Sequence, residues 1–231
     1  MDIDRAPFKD EYPYEGNYLD IGGHKLHYLD EGPKDAPVLL CVHGNPTWSF
    51  YWRRLIRAFS KTHRVVVPDH IGCGLSEVPD AKDYGYRLAD RVSDLGALVD
   101  HLGLKDITLV VHDWGGMIGL AWAVESLPLV RRFIITNTAG FGLPEGRKLP
   151  WQLKVARNLP FARFLMKDLN LFVKGAAETC AMEPMSPAVK AGFVAPYNSP
   201  ANRIAVHRFV QDIPLDPSHP SFSIVDGVSR R

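Results

Sequence analysis

Apolar residues follow two rhythms along this chain, and the two alternate. Short unbroken runs, PVLLCV (37–42), RVVVPD (64–69), ITLVVH (107–112) and RFIITN (132–137), have the continuity and β-branched content of strands buried on both faces. Between them lie stretches of helical character. One runs through SFYWRRLIRAFS. A second, near 86–103, spaces Leu88, Val92, Leu95, Val99 and Leu102 along one face. A third, GGMIGLAWAVESL, is rich in Ala and Leu once its glycines are past. Ahead of these, NYLDIGGHKLHYLDEG (17–32) reads as two short strands about Gly22-Gly23, a hairpin signal. Strands alternating with helices predict an α/β fold with a mostly parallel, doubly wound sheet and helices on both faces.

Past residue 140 the strand rhythm stops. LPWQLKVARNLPFARFLMKDLNLFVKGAA is helical with a break at Pro160. In SPANRIAVHRFVQDIP, Ser199 is a candidate N-cap with Pro200 at the first helical position, and Val206, Phe209, Val210 and Ile213 form an apolar face. The expected organisation is a core over residues 1–139, a helical cap over 140–216 laid across the strand ends, and the start of a return to the core over 217–231.

One polar residue breaks the pattern. In VVHDWGGMIG (110–119), Asp113 sits where a buried strand gives way to a helix. As an N-cap it would satisfy the first N–H groups of that helix. Gly115 and Gly116 follow at once, however, and small residues there permit the sharp strand-to-helix turn that lifts one side chain above the sheet at a helix N-terminus. Such a turn normally carries Ser in Gly-x-Ser-x-Gly. That pattern is absent, and Asp113 takes the serine place. In doubly wound sheets the chemistry gathers at the carboxyl ends of the strands; HGNPTW (43–48), PDHIGCG (68–74) and Asp113 all belong there.

Composition narrows the picture without changing it. Hydrophobic content of 46% and charged content of 23% over 231 residues suit a globular protein, and a net charge of +1 gives no electrostatic case for nucleic acid or an anionic membrane. The three cysteines, Cys41, Cys73 and Cys180, are not in metal-ligand spacing and suit a reducing cytoplasm. The N-terminal stretch has no apolar signal core, and no run reaches membrane-span length. The expectation is a cytoplasmic protein without a metal or cofactor, acting on a small apolar substrate.

HGNPTW, PDHIGCGLS, VVHDWGGMIG and the helical stretch after the sixth strand resemble the α/β-hydrolase superfamily, and more narrowly the haloalkane dehalogenases. The segment APYNSPANRIAVHRFVQDIP is similar to a related branch, the β-lactone decarboxylases of bacterial olefin biosynthesis. Epoxide hydrolases share the HDWG turn but usually carry an aromatic residue where this chain has Asn45. The resemblance implies an α/β-hydrolase fold in which Asp113 attacks carbon to form an alkyl ester, needing no base for that step. It also implies that the indole N–H of Trp114 and the side-chain amide of Asn45 stabilise the leaving group. Read without the resemblance, Trp114 is core packing and Asn45 a turn residue before Pro46. Trp48 and Phe141 either line the pocket or fill core. His43 and His112 flank the site in structural roles.

Hydrolysis of an aspartyl ester needs a base, normally a histidine oriented by an acid. His207 falls in a cap helix and His219 in a proline-flanked loop. Glu145 is the nearest late carboxylate, and Asn137 stands where one branch of the dehalogenases has its acid. These observations lead to the expectation that the chain stops before the last two strands, on the order of 60 residues short, with histidine and acid beyond Arg231. That would leave RFIITN as an exposed edge through which the chain self-associates. The expected reaction is carbon–halogen hydrolysis. The alternatives are β-lactone decarboxylation to an alkene, epoxide hydrolysis, and an inactive fragment or binding scaffold.

Overall fold

The computed structural model describes residues 3–140, 142, 149–159 and 161–231. The six expected strands form: β1 (Asn17–Ile21), β2 (His24–Glu31), β3 (Val38–Val42), β4 (Arg64–Pro68), β5 (Ile107–His112) and β6 (Val130–Thr136). They lie side by side in the order β1-β2-β4-β3-β5-β6. The β1–β2 hairpin turns at Gly22-Gly23 with Ile21 opposite His24, and β2 runs antiparallel to β4. The remaining pairs are parallel, which brings the carboxyl ends of β3 to β6 to one edge.

Successive residues of the central strands feed two separate cores. Leu40, Val42, Leu109 and Val111 pack with Leu95, Leu98, Ile118 and Trp122, from helices α2 (Leu88–Leu102) and α3 (Trp114–Glu125). Leu39, Cys41 and Val110 pack on the opposite face with Phe50 and with Ile56 of α1 (Arg53–Phe59). Two-faced burial is why these strands read as unbroken apolar runs. β6 is the edge strand, and Phe133, Ile134 and Ile135 are 42%, 45% and 56% exposed.

Beyond β6 the described residues contain helices only: α4 (Trp151–Asn158), a π-helical turn (Phe164–Asp168), α5 (Leu171–Thr179), α6 (Pro187–Val194), α7 (Ile204–Gln211) and α8 (Phe222–Ser229). Pro160, the expected break, lies outside the described residues, as do Phe141 and Glu145. Ser199 does not cap α7. Its Oγ accepts from Asn202 N at 3.3 Å and opens a 3-10 turn over Ala201–Arg203, so α7 starts at Ile204. Entry through a 3-10 turn moves the α-helical start by a turn. A Ser-Pro cap does exist one helix earlier, where Ser186 accepts from Val189 N ahead of Pro187.

The apolar face of α7 is buried as its spacing predicts, with Val206, Phe209 and Val210 at 0–1% exposure. Phe209 lies against Trp114, its ring 5.2 Å away, and under the Arg91 guanidinium at 3.7 Å. The chain leaving α7 is tied to the core by Asp212. This buried carboxylate accepts from Leu88 N in the first turn of α2 (2.6 Å), from Ser221 Oγ (2.9 Å) and from Arg87 Nη1 (3.3 Å). Asp212→Ala strands those donors and is expected to lower stability by about 2–4 kcal/mol. Urea unfolding at neutral pH measures this, and an unchanged midpoint would show that water replaces the carboxylate.

Candidate active site

Strand β5 ends at His112 and helix α3 begins at Trp114, so a single residue makes the turn. Asp113 has φ 51° and ψ −129°, a conformation that costs a non-glycine residue roughly 1–3 kcal/mol. The surroundings hold it there. Asp113 N donates to Asn137 O (3.3 Å), and Asp113 O accepts from Gly116 N (3.0 Å) and from Thr138 Oγ1. A Cβ on Gly115 would stand 2.1 Å from Val42 O, and one on Gly44 would stand 2.2 Å from Asp113 Oδ1. Asp113 occupies the N-cap position but its side chain caps nothing. Its Oδ1 instead accepts from Asn45 N at 2.6 Å.

The loop that presents Asn45 is anchored from below. His43 Nε2 accepts from His70 N (3.2 Å), which leaves Nδ1 to donate to Gly44 O (2.9 Å), and burial lowers the pKa of this imidazole. It lines neither of the cavities described below and holds the loop in place. Asp69, fully buried, accepts from Ser49 N (2.6 Å), Leu75 N (2.9 Å) and His27 Nδ1 (2.8 Å). Burial pushes the Asp69 carboxyl up, but His27 and these donors outweigh it and hold it below the usual value. The PDHIGCG segment therefore serves as a scaffold for the neighbouring loop.

Two cavities meet at Asp113. One, of about 220 Å³, is lined by Asn45, Tyr51, His112 and Asp113 and by apolar residues of α5 and α6, including Val173, Ala177 and Phe193. The other, of about 490 Å³, is lined by Asp113, Trp114, Thr138, Leu153, Ile213 and Val225. Asn137 borders both. Asn45 borders the smaller cavity and Trp114 the larger. The Asn45 amide is also partly committed, because Nδ2 donates to Val206 O in α7 (3.1 Å) while Oδ1 has no partner.

Trp48 lines neither cavity. It is 0% exposed, stacks on Phe50 at 5.6 Å and donates Nε1 to Gly192 O (2.9 Å), which corrects its candidacy for the pocket wall. An indole with a satisfied N–H in an aromatic cluster is core. His207 and His219 line neither cavity either. Two residues stand out that sequence reasoning passed over or left as structural. His112 and Tyr51 stack face to face with ring centres 4.5 Å apart and both line the smaller cavity. Burial lowers the His112 pKa, and burial followed by the Asp113 charge raises that of Tyr51. The WSFYW cluster gave no signal of which aromatic would face the site. Chemically, the site offers a carboxylate at a helix N-terminus, a backbone N–H beside it, and largely apolar walls.

Residues 37–180 match the family model for the alpha/beta hydrolase fold. The chain is 46% identical over 219 residues to cis-3-alkyl-4-alkyloxetan-2-one decarboxylase of Shewanella oneidensis, covering 94% of this chain and 68% of that protein. It is 44% identical over 138 residues to haloalkane dehalogenase 2 of Mycobacterium tuberculosis, covering 60% of this chain and 47% of that protein. Among solved structures it is similar to an ancestral haloalkane dehalogenase, with a TM-score of 0.83 at 26% identity over 93% of this chain and 76% of that one. Among the described residues, no helix is long and apolar enough to cross a membrane, and no group of His, Cys, Asp or Glu is placed to hold a metal ion.

Gly44→Ala would push the Asp113 carboxylate off Asn45 N and is expected to cost about 1–3 kcal/mol. Gly175→Ala, in mid-helix with open space where a Cβ would stand, is expected to be neutral or slightly stabilising. Equal urea midpoints for the two variants would refute the close approach at Gly44.

Proposed function

Because the chain belongs to the alpha/beta hydrolase fold family, we propose that it is an enzyme with Asp113 as nucleophile, acting on a cis-3,4-dialkyl β-lactone to release an alkene and carbon dioxide. The observation that carries the nucleophile is the Asp113 carboxylate, raised on a turn at positive φ, bonded by Asn45 N and opening onto apolar cavities. The preference for a lactone over an alkyl halide is supported by 46% identity to the Shewanella decarboxylase across 94% of the chain. The match to the Mycobacterium dehalogenase covers 60%.

The route balances without water. An Asp113 oxygen attacks C4 of the lactone, and the C4–O bond breaks with its electron pair left on the ring oxygen as a carboxylate. The C3–carboxyl bond then supplies the pair that forms the C3=C4 double bond. Carbon dioxide departs, and Asp113 is expelled from C4 as a free carboxylate. The helix N-terminus favours the ionised nucleophile. Apolar walls exclude water, so the carboxylate formed on ring opening is held only by the few donors of the site and loses carbon dioxide more readily than in water. Helices α4 to α7 act as a cap that keeps the site dry. Asn45 retains one amide hydrogen for the departing oxygen, and Trp114 serves a group lodged on the side of the larger cavity.

Dehalogenation is the second reading, favoured by the same carboxylate and by the likeness to dehalogenases in sequence and structure. It differs in requiring water to cleave the alkyl ester at its carbonyl carbon. Incubation with a cis-3,4-dialkyl oxetan-2-one is expected to give alkene and carbon dioxide in equal amounts, and Asp113→Asn is expected to abolish both. In oxygen-18-labelled water the Asp113 side chain is expected to stay unlabelled after many turnovers. Label in that carboxylate, together with halide release from haloalkanes, would favour the hydrolytic reading instead.

A further inference from the structure

We propose that the Tyr51 hydroxyl is the donor that receives the carboxylate released when the lactone ring opens, which makes Tyr51 the residue that suits this site to a lactone. This inference rests on the lactone reading above and concerns the same site. The group leaving C4 is a carboxylate with two oxygens, larger than a halide and in need of more than one donor. In the cavity of about 220 Å³, one donor hydrogen of Asn45 is already spent on Val206 O. Trp114 lines the other cavity. The rest of the wall holds Val173, Ala176, Ala177, Met185 and Phe193, which donate nothing from their side chains, beside Thr47, whose hydroxyl is spent on Gly44 O, and the polar His112, Asn137 and Cys180.

Tyr51 adds a hydroxyl to this wall. Its hydroxyl makes no hydrogen bond to any described residue, although the side chain is half-buried and lines the cavity with Asp113. Its ring is held before substrate arrives by His112 stacked at 4.5 Å and by the edge of Trp52 at 4.9 Å, and it stands between this cavity and a neighbouring one that Arg54 and Glu11 border. Burial and the charge on Asp113 hold the phenol protonated, as a donor must be.

The test compares Tyr51→Phe with the parent chain and with Asp113→Asn, all in a Cys180→Ser background that removes the exposed thiol of the cavity, on two reactions: alkene release from the dialkyl lactone, and single alkylation by a reactive primary alkyl bromide. Melting temperatures check that each variant folds. Tyr51→Phe is expected to lower kcat on the lactone by about 10–1,000-fold with a much smaller change in KM, because the lost bond matters most as charge develops. Alkylation by the bromide is expected to slow far less. An unchanged kcat for Tyr51→Phe beside an inactive Asp113→Asn would overturn the role of Tyr51 and leave the lactone reading intact. Equal losses in both reactions would also overturn it, showing that the hydroxyl supports Asp113 or the site in general and not the departing carboxylate. Lactone turnover that survives Asp113→Asn would remove the reading beneath it.

Discussion

The backbone of Asp113 is the constraint on which the site depends. A single residue must reverse the chain between a buried strand and a buried helix, and it does so at φ 51°. That conformation is held by bonds with the segment just past β6, Asp113 N to Asn137 O and Thr138 Oγ1 to Asp113 O. It also needs the missing side chains of Gly44 and Gly115, which let β3 and its following loop press against the turn. The result is a carboxylate that cannot settle into the capping role its position suggests. It is left facing Asn45 N and the cavities, the arrangement that strained residues at reactive sites commonly serve.

The helices beyond β6 are wired to the same loop. Asn45 Nδ2 reaches Val206 O, Trp48 Nε1 reaches Gly192 O, and Tyr197 Oη donates to Thr47 O at 2.8 Å. Three residues of one short loop therefore bond three separate points of the helical segment. Asp212 adds a fourth tie, to the first turn of α2. A cover attached this way sets the cavity walls and the donor geometry together, so changes in α6 or α7 reach Asp113 through Asn45.

Much of this was legible in the sequence, and the reason is locality. Strand and helix rhythms predicted all six strands and the helices of the core, because the periodicity of burial is written residue by residue. The turn at Asp113 was legible from Gly115 and Gly116, and the buried face of α7 from Val206, Phe209 and Val210. Side-chain direction was not. Trp48 and Tyr51 stand three residues apart in one aromatic cluster; the first fills core and the second faces the cavity. Asn45 was read as a donor into the site, and that one of its amide hydrogens meets a carbonyl 161 residues away was not legible. Such outcomes follow from tertiary packing, which no local pattern encodes.

The central claim is that Asp113 is the nucleophile, and a covalent trap tests it most directly. The chain, treated with a reactive primary alkyl bromide and digested, is analysed by peptide mapping mass spectrometry. Cys180 gives the measurement its force, because this exposed free thiol lines the same cavity and is an intrinsically better nucleophile toward alkyl bromides. With Cys180→Ser as the background, the account predicts one alkyl group per chain, on the Asp113 peptide, and none after Asp113→Asn. An adduct of equal yield in the Asp113→Asn chain would contradict it.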